Sequence, residues 1–166
     1  MSPSPAACEG NAAKASGAGE EKIRTLLDTS CIVAAVCAWH ERHDAARTAV
    51  ELCLRTRNGL VLAAPALVEA YAVLTRLPPP HRLSGRDALA LLDANWGETE
   101  TVSLTQAEYW RLLRECPGAG TTGGQTYDAV IAACARKARA QRLLTLNLEH
   151  FARFREDLVI SAPGDR

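Results

Sequence analysis

At 166 residues, 48% of them hydrophobic and only 5% aromatic, the chain suits a single domain whose core is built from Leu, Val, Ile and Ala. Lys plus Arg number 19 and Asp plus Glu number 19, which excludes a global basic field but leaves room for a local cationic patch. No apolar run approaches a membrane span, and the N-terminus lacks the apolar segment of a secretory signal.

The six cysteines are Cys8, Cys31, Cys37, Cys53, Cys116 and Cys134. None form a C-x-x-C pair, so structural zinc is not indicated; they read as small core residues in a reducing cytoplasm. Only Lys14, Lys22 and Lys137 are lysines, and all other cations are Arg. Arg suits bidentate phosphate contacts, but a GC-rich coding sequence explains the bias equally, together with the abundant Ala.

In chain order, residues 1–21 are rich in Ala, Gly, Ser and Pro without periodicity, and are expected to be a disordered tail or the product of an early start codon. The ordered domain, residues 22–166, should begin near Lys22. Ile23–Leu27 reads as a buried first strand ending in an acid. After Asp28-Thr29-Ser30 comes the apolar helical run CIVAAVCAW. A second helix starts at Asp44 and stops at Asn58-Gly59. Leu60–Ala64 is a second strand, and Pro65 fits the first turn of the helix PALVEAYAVLTRL. Pro78-Pro79-Pro80 forms a stiff connector, followed by a helix starting around Ser84-Gly-Arg-Asp87. Thr101–Leu104 suits a third strand, and Thr105 to Glu108 has capping-box spacing. Pro117–Gly124 reads as a flexible loop before the helix YDAVIAACARKARA. The strand RLLTL, a short helix around LEHFARF and a last strand DLVI complete the chain. Short apolar strands alternating with helices predict an α/β fold with a mostly parallel central sheet.

The polar residues fall at particular places on this pattern. Asp28 directly follows a strand, Glu69 sits early in a helix after a strand, and Asp128 lies in a first helical turn after a Gly-rich loop. Asn147 stands where the strand RLLTL hands over to the next helix. Ligand sites in open parallel sheets gather beyond the carboxyl ends of the strands, so all four can converge on one rim. Each also has an ordinary structural explanation. Asp128 suits a helix macrodipole, Asp28 and Asn147 suit N-caps, and Glu69 suits an exposed helix face. Together they point to metal chemistry. Three converging carboxylates repel one another unless a cation joins them, and an all-oxygen donor set favours Mg²⁺ or Mn²⁺.

Three segments, LLDTSCIVAAV, APALVEAYAVLTRLPPPHRLS and TYDAVIAACARKARAQRLLTLNLEHF, resemble in order and spacing the motifs of PIN-domain ribonucleases, above all the VapC-type toxins of toxin–antitoxin pairs. The resemblance runs from about Arg24 to Pro163. It implies the three-layer PIN-like fold, a central sheet flanked by helices. It also implies that Asp28, Glu69 and Asp128 are the catalytic metal-binding acids, with Asn147 at a position the family fills with Asp or Asn. Asn147 lowers the site's negative charge by one and favours a single metal. Thr29, Ser30 and Thr145 are expected to support the acids. The implied activity is Mg²⁺- or Mn²⁺-dependent hydrolysis of RNA phosphodiester bonds, leaving 5′-phosphate and 3′-OH ends. The implied partners are a VapB-like antitoxin and a second copy of the chain, with helices 44–56 and 65–77 as candidate dimer contacts.

Arg76, seven residues after Glu69, is the expected RNA contact. Arg82 is a further cation. The cluster Arg136, Lys137, Arg139 and Arg142 equally suits a helix C-terminus. His40 and His43 are too poorly supplied with neighbouring ligands for a metal site, His150 reads as a surface residue although its place close to Asn147 would also let it face the rim, and Tyr127 reads as a packing residue able to stack a base. Alternatives are a PIN nuclease without an antitoxin, a non-catalytic interaction module, and a small-molecule phosphatase. The last lacks an Asp-x-Asp motif after the first strand, where the sequence has Asp28-Thr29-Ser30.

Overall fold

Five short strands pair in parallel throughout a computed structural model that describes residues 23–56 and 59–165. They are β1 (Thr25–Leu27), β2 (Leu60–Ala63), β3 (Thr101–Val102), β4 (Arg142–Leu144) and β5 (Val159–Ser161). The expected tail over 1–21, the start at Lys22, Cys8 and the Asn58 helix stop lie outside the described residues. Sheet order is β3-β2-β1-β4-β5. The chain builds outward from β1 on one side, then returns to add β4 and β5 on the other. The strand order therefore reverses beside β1, between it and β4, and a crevice at such a reversal is where open parallel sheets bind ligands.

Every residue of β1 and β2 is buried, as strands covered by helices on both faces must be. The helices are α1 (Thr29–Val36), α2 (His43–Leu54), α3 (Ala64–Arg76), α4 (Gly85–Trp96), α5 (Gln106–Glu115), α6 (Gln125–Lys137) and α7 (Leu148–Phe151), the last continued by a 3₁₀ turn over Ala152–Phe154. Helix α1 packs on α2 and α3, α3 on α4 and α6, and α6 on β2 and β4. The result is the α/β arrangement expected from the alternating pattern, in the three layers that the family resemblance implies.

Local sequence explains most boundaries. Ser84 accepts from the Asp87 N–H and caps α4. Thr105 and Glu108 form the reciprocal capping box that opens α5. Pro65 occupies the first turn of α3, where its missing N–H has no partner to lose. On α3 the buried residues Ala66, Ala70 and Leu74 recur every four positions, the stripe of a core-facing helix. Small residues there, and Ala132 and Ala135 on α6, let helices approach the sheet closely. Leu26, Leu27, Ile32, Leu62, Leu74, Leu143 and Phe151 fill the centre.

Cys31, Cys37, Cys53, Cys116 and Cys134 are free thiols. All but the half-buried Cys53 are buried, and burial pushes Cys134 up to about 11 and Cys31 higher still, so both stay protonated as core residues. No helix among the described residues is long and apolar enough to cross a membrane.

The segment 117–124 differs from the free loop the sequence suggests. Gly120 and Gly123 adopt positive φ (63° and 56°), which a residue with a Cβ resists, and the loop is tied down from outside. Arg153 donates from Nη1 to the Thr121 hydroxyl and from Nη2 to the Ala119 carbonyl, both at 2.9 Å. Thr121 is correspondingly buried.

Candidate active site

A groove of about 1060 Å³ opens at the carboxyl ends of β1 and β4, and Asp28, Glu69, Asp128 and Asn147 all line it. Asp28 follows β1 directly, and its N–H donates to the Leu144 carbonyl (2.9 Å), locking it to the end of β4. Its extended backbone makes it the N-cap of α1. The side chain is nearly buried, at 5% exposure.

Burial on this scale demands partners, and two hydroxyls supply them. Ser30 Oγ donates to Asp28 Oδ2 at 2.7 Å and Thr145 Oγ1 donates to the same oxygen at 2.9 Å. Each hydroxyl accepts from a backbone N–H in turn, Ser30 from Leu146 and Thr145 from Asn147, both at 2.9 Å. Two relays thus run from the backbone after β4 through a hydroxyl to one carboxylate oxygen. Among the described residues Oδ1 accepts no hydrogen bond and is not sealed from solvent.

Glu69 reaches the groove from α3, and its Oε2 accepts from the Thr29 hydroxyl at 2.7 Å. Asp128 stands in the first turn of α6 and is largely screened from solvent. Burial raises its proton affinity, and Asp28 and Glu69 add to the rise, while His150 opposes it with Nδ1 at 3.8 Å from Oδ2. Asp28 and Glu69 thus both lie within electrostatic reach of Asp128. Asn147 is exposed before α7, where its side chain makes no capping hydrogen bond.

Among the described residues no three acidic, His or Cys side chains close into a ready-made ion cage. The expectation was of an ion held by Asp28 and Asp128, with Glu69 joining directly or through water. Glu69 is held by the Thr29 hydroxyl. The donor set still suits a hard divalent ion that keeps several waters: an open Asp28 Oδ1, an Asp128 whose charge is disfavoured, and Glu69 beyond them.

The other expected residues are distributed as follows. Glu69 and Val73 of α3 and Leu77 just after it line the groove, while Arg76 is exposed and outside that lining. Arg136 is paired with Asp157, and Lys137 donates to Glu108 Oε2 at 2.6 Å. Arg82 donates to the Leu77 carbonyl. His43 Nδ1 lies 2.9 Å from the Ala34 carbonyl, a structural contact. His150 is exposed and also faces the rim, lining the groove beside Asp128. Trp39, His40 and Arg153 also line it. No spacing links Arg153 to the acids; only the position of the 3₁₀ turn against the 117–124 loop brings it there.

The pattern of the PIN domain family matches residues 25–157. Over 121 residues, 73% of this chain and 84% of its own length, the ribonuclease VapC40 of Mycobacterium tuberculosis is 40% identical. The chain belongs to the VapC-type PIN-domain ribonuclease family. Solved structures of the fold agree with the membership. The crystal structure of the M. tuberculosis VapC20, a sarcin-ricin-loop-cleaving toxin, superposes with a TM-score of 0.61 at 18% identity, covering 78% of this chain and 94% of that one. VapBC2 from Rickettsia felis, bound to promoter DNA, gives 0.61 at 21% identity over 84% and 98%. At those identities the likeness is one of fold. In a VapC-type chain the residues at the β1–β4 reversal are therefore the place to look for chemistry.

Proposed function

We propose that this VapC-type chain is a divalent-metal-dependent endoribonuclease, the toxin of a VapBC-like pair, with its active centre in the groove. One observation supports this above the rest. Two hydroxyls hold Asp28 through Oδ2 and leave Oδ1 to the groove, where Asp128 and Glu69 also face.

Mg²⁺ or Mn²⁺ would be held by Asp28 and Asp128, with Glu69 acting through water, and Asn147 at the rim. When bound, such an ion acidifies a water and offsets charge on phosphate oxygens. The chain's own part is orientation. Ser30 and Thr145 fix the Asp28 carboxylate plane, Thr29 fixes Glu69, and Asp128 and Glu69 are acceptors able to hold an attacking water in line. The fork of Arg153 already serves the 117–124 loop and keeps that side of the groove in place. Metal-assisted attack by water on phosphorus would leave products with 5′-phosphate and 3′-OH ends.

A VapB-like antitoxin is the proposed partner, supported by the VapBC2 complex of the same fold. A segment carrying Arg across the groove would answer the carboxylates as a metal does. Exposed Val68 and Tyr71 on α3 and Leu89 on α4 support a homodimer contact.

The test is cleavage of total RNA with Mn²⁺ or Mg²⁺ by wild type, Asp28→Ala and Asp128→Ala, with product ends mapped. Cleavage that is metal-dependent and absent from both variants is expected. Equal cleavage by the variants, or in EDTA, would reject the proposal.

A further inference from the structure

Trp39 lies in the turn after α1 and lines the groove, yet 47% of it is exposed. Its ring stacks on His81, with centroids 4.1 Å apart and planes 26° from parallel. His81 follows the Pro78-Pro79-Pro80 connector after α3 and is not part of the groove lining, so it backs the indole from outside. The two segments that meet here leave the ends of the helices carrying Asp28 and Glu69. Both are pinned. His40 donates from its N–H to the Cys37 carbonyl and its Nδ1 accepts from Arg42 N–H, while the His81 N–H donates to the Pro78 carbonyl. The connector's prolines fix backbone torsions in advance. The indole is thus a held flat surface on the wall of the site, and core packing does not account for it.

Resting on the nuclease reading of the groove, we propose that Trp39, backed by His81, is a stacking platform for one unpaired base of the RNA substrate. A phosphodiester held at Asp28 and Asp128 carries nucleosides to either side, and their flat faces need a surface. A base laid on the indole continues a stack the protein has already begun with His81, in the near-parallel arrangement that aromatic rings prefer. Stacking accepts any base, because every base has a π-face, but it requires one not already stacked in a duplex. The platform therefore sets a preference for unpaired segments and works through binding.

The experiment uses the full chain freed of any partner, with short 3′-labelled single-stranded RNA of random sequence and its duplex form. Affinity is read by anisotropy in EDTA, and cleavage separately with Mn²⁺. Trp39→Ala should weaken single-strand binding about tenfold, the size of one base–aromatic stack. Trp39→Phe should restore most of it, and duplex should bind wild type more weakly than single strand. In the cleavage arm Trp39→Ala should raise KM about tenfold and lower kcat much less. Unchanged single-strand affinity in Trp39→Ala, or equal wild-type affinity for duplex, would overturn the platform and leave Trp39 as a contact for a protein partner. If RNA is cleaved normally in that case, the nuclease reading survives. Absence of metal-dependent cleavage by wild type would instead sink that reading, and the platform with it.

Discussion

The two oxygens of Asp28 do different work, and that division can be tested one residue at a time. Oδ2 is committed to Ser30 and Thr145, and Oδ1 faces the groove. Thr145 is fully buried, so Thr145→Val keeps the shape, removes one donor to the carboxylate and strands the Asn147 N–H. Hydrogen bonds to charged groups contribute about 1.5–3 kcal/mol, so a stability loss near 2 kcal/mol is expected in urea unfolding. Metal affinity should fall about 10–100-fold, the usual effect of removing a group that orients a ligand. A variant as stable and active as wild type would show that the relay is ornamental. Asp128 carries the opposite logic. Its charge is disfavoured by burial and by Asp28 and Glu69, so Asp128→Asn should raise the melting temperature in EDTA while abolishing cleavage. A lower melting temperature in EDTA would mean that the carboxylate has a structural role after all.

At the scale of elements, the signals that could be read in the sequence are those made within a few residues. The Thr105–Glu108 capping box, the Ser84 cap and Pro65 at the start of α3 all describe local hydrogen bonding, and each helix starts where those residues place it. The central strands β1 and β2 were legible as short, mainly apolar runs, since burial on both faces leaves little room for polar residues. What joins elements was not legible. Lys137 on α6 donates to Glu108 on α5, so the capping acid of one helix is also the anchor of another. That link has a consequence for acid stability. The Lys137 hydrogen bond, then those from Thr105, hold the Glu108 carboxyl down at about 2, against an ordinary 4.5. A depressed folded-state value means the contribution is complete above about pH 4.5 and is lost as pH falls toward about 2. Lys137→Met should therefore lose less stability than wild type over that interval, giving a flatter curve of urea midpoint against pH. Parallel curves would show that the α5–α6 link does not contribute.

For the molecule as a whole, the sheet order explains why residues a hundred positions apart share one groove. Asp28 belongs to β1 and α1, Glu69 to α3, Asp128 to α6, and Thr145 and Asn147 to the end of β4. The sequence announces the acids because each follows a strand or opens a helix. It does not announce Trp39 or Arg153, whose places depend on how the turn after α1 and the 3₁₀ segment pack against the rest. Arg76 shows the converse: its spacing of seven puts it on the helix face of Glu69, yet Val73 and Leu77, and not Arg76, line the groove.

The convergence also makes a bound cation a staple between elements that are otherwise joined by packing. Ligand that binds only the folded chain stabilises it by RT ln(1 + [L]/Kd), about 2.7 kcal/mol at a hundredfold excess over Kd. For a domain of this length that corresponds to a rise of roughly 5–10 °C in melting temperature. Mn²⁺ should produce such a rise in wild type. Asp28→Asn and Asp128→Asn should each abolish it, because Asp28 and Asp128 sit on different elements and neither alone can bridge them. Glu69→Gln should reduce it less, since Glu69 is engaged by Thr29 and its proposed contact with the ion is through water. The comparison separates a site from a general ionic effect. Nonspecific Mn²⁺ binding to the surface would survive all three substitutions equally, whereas an ion held between β1 and α6 cannot survive the first two.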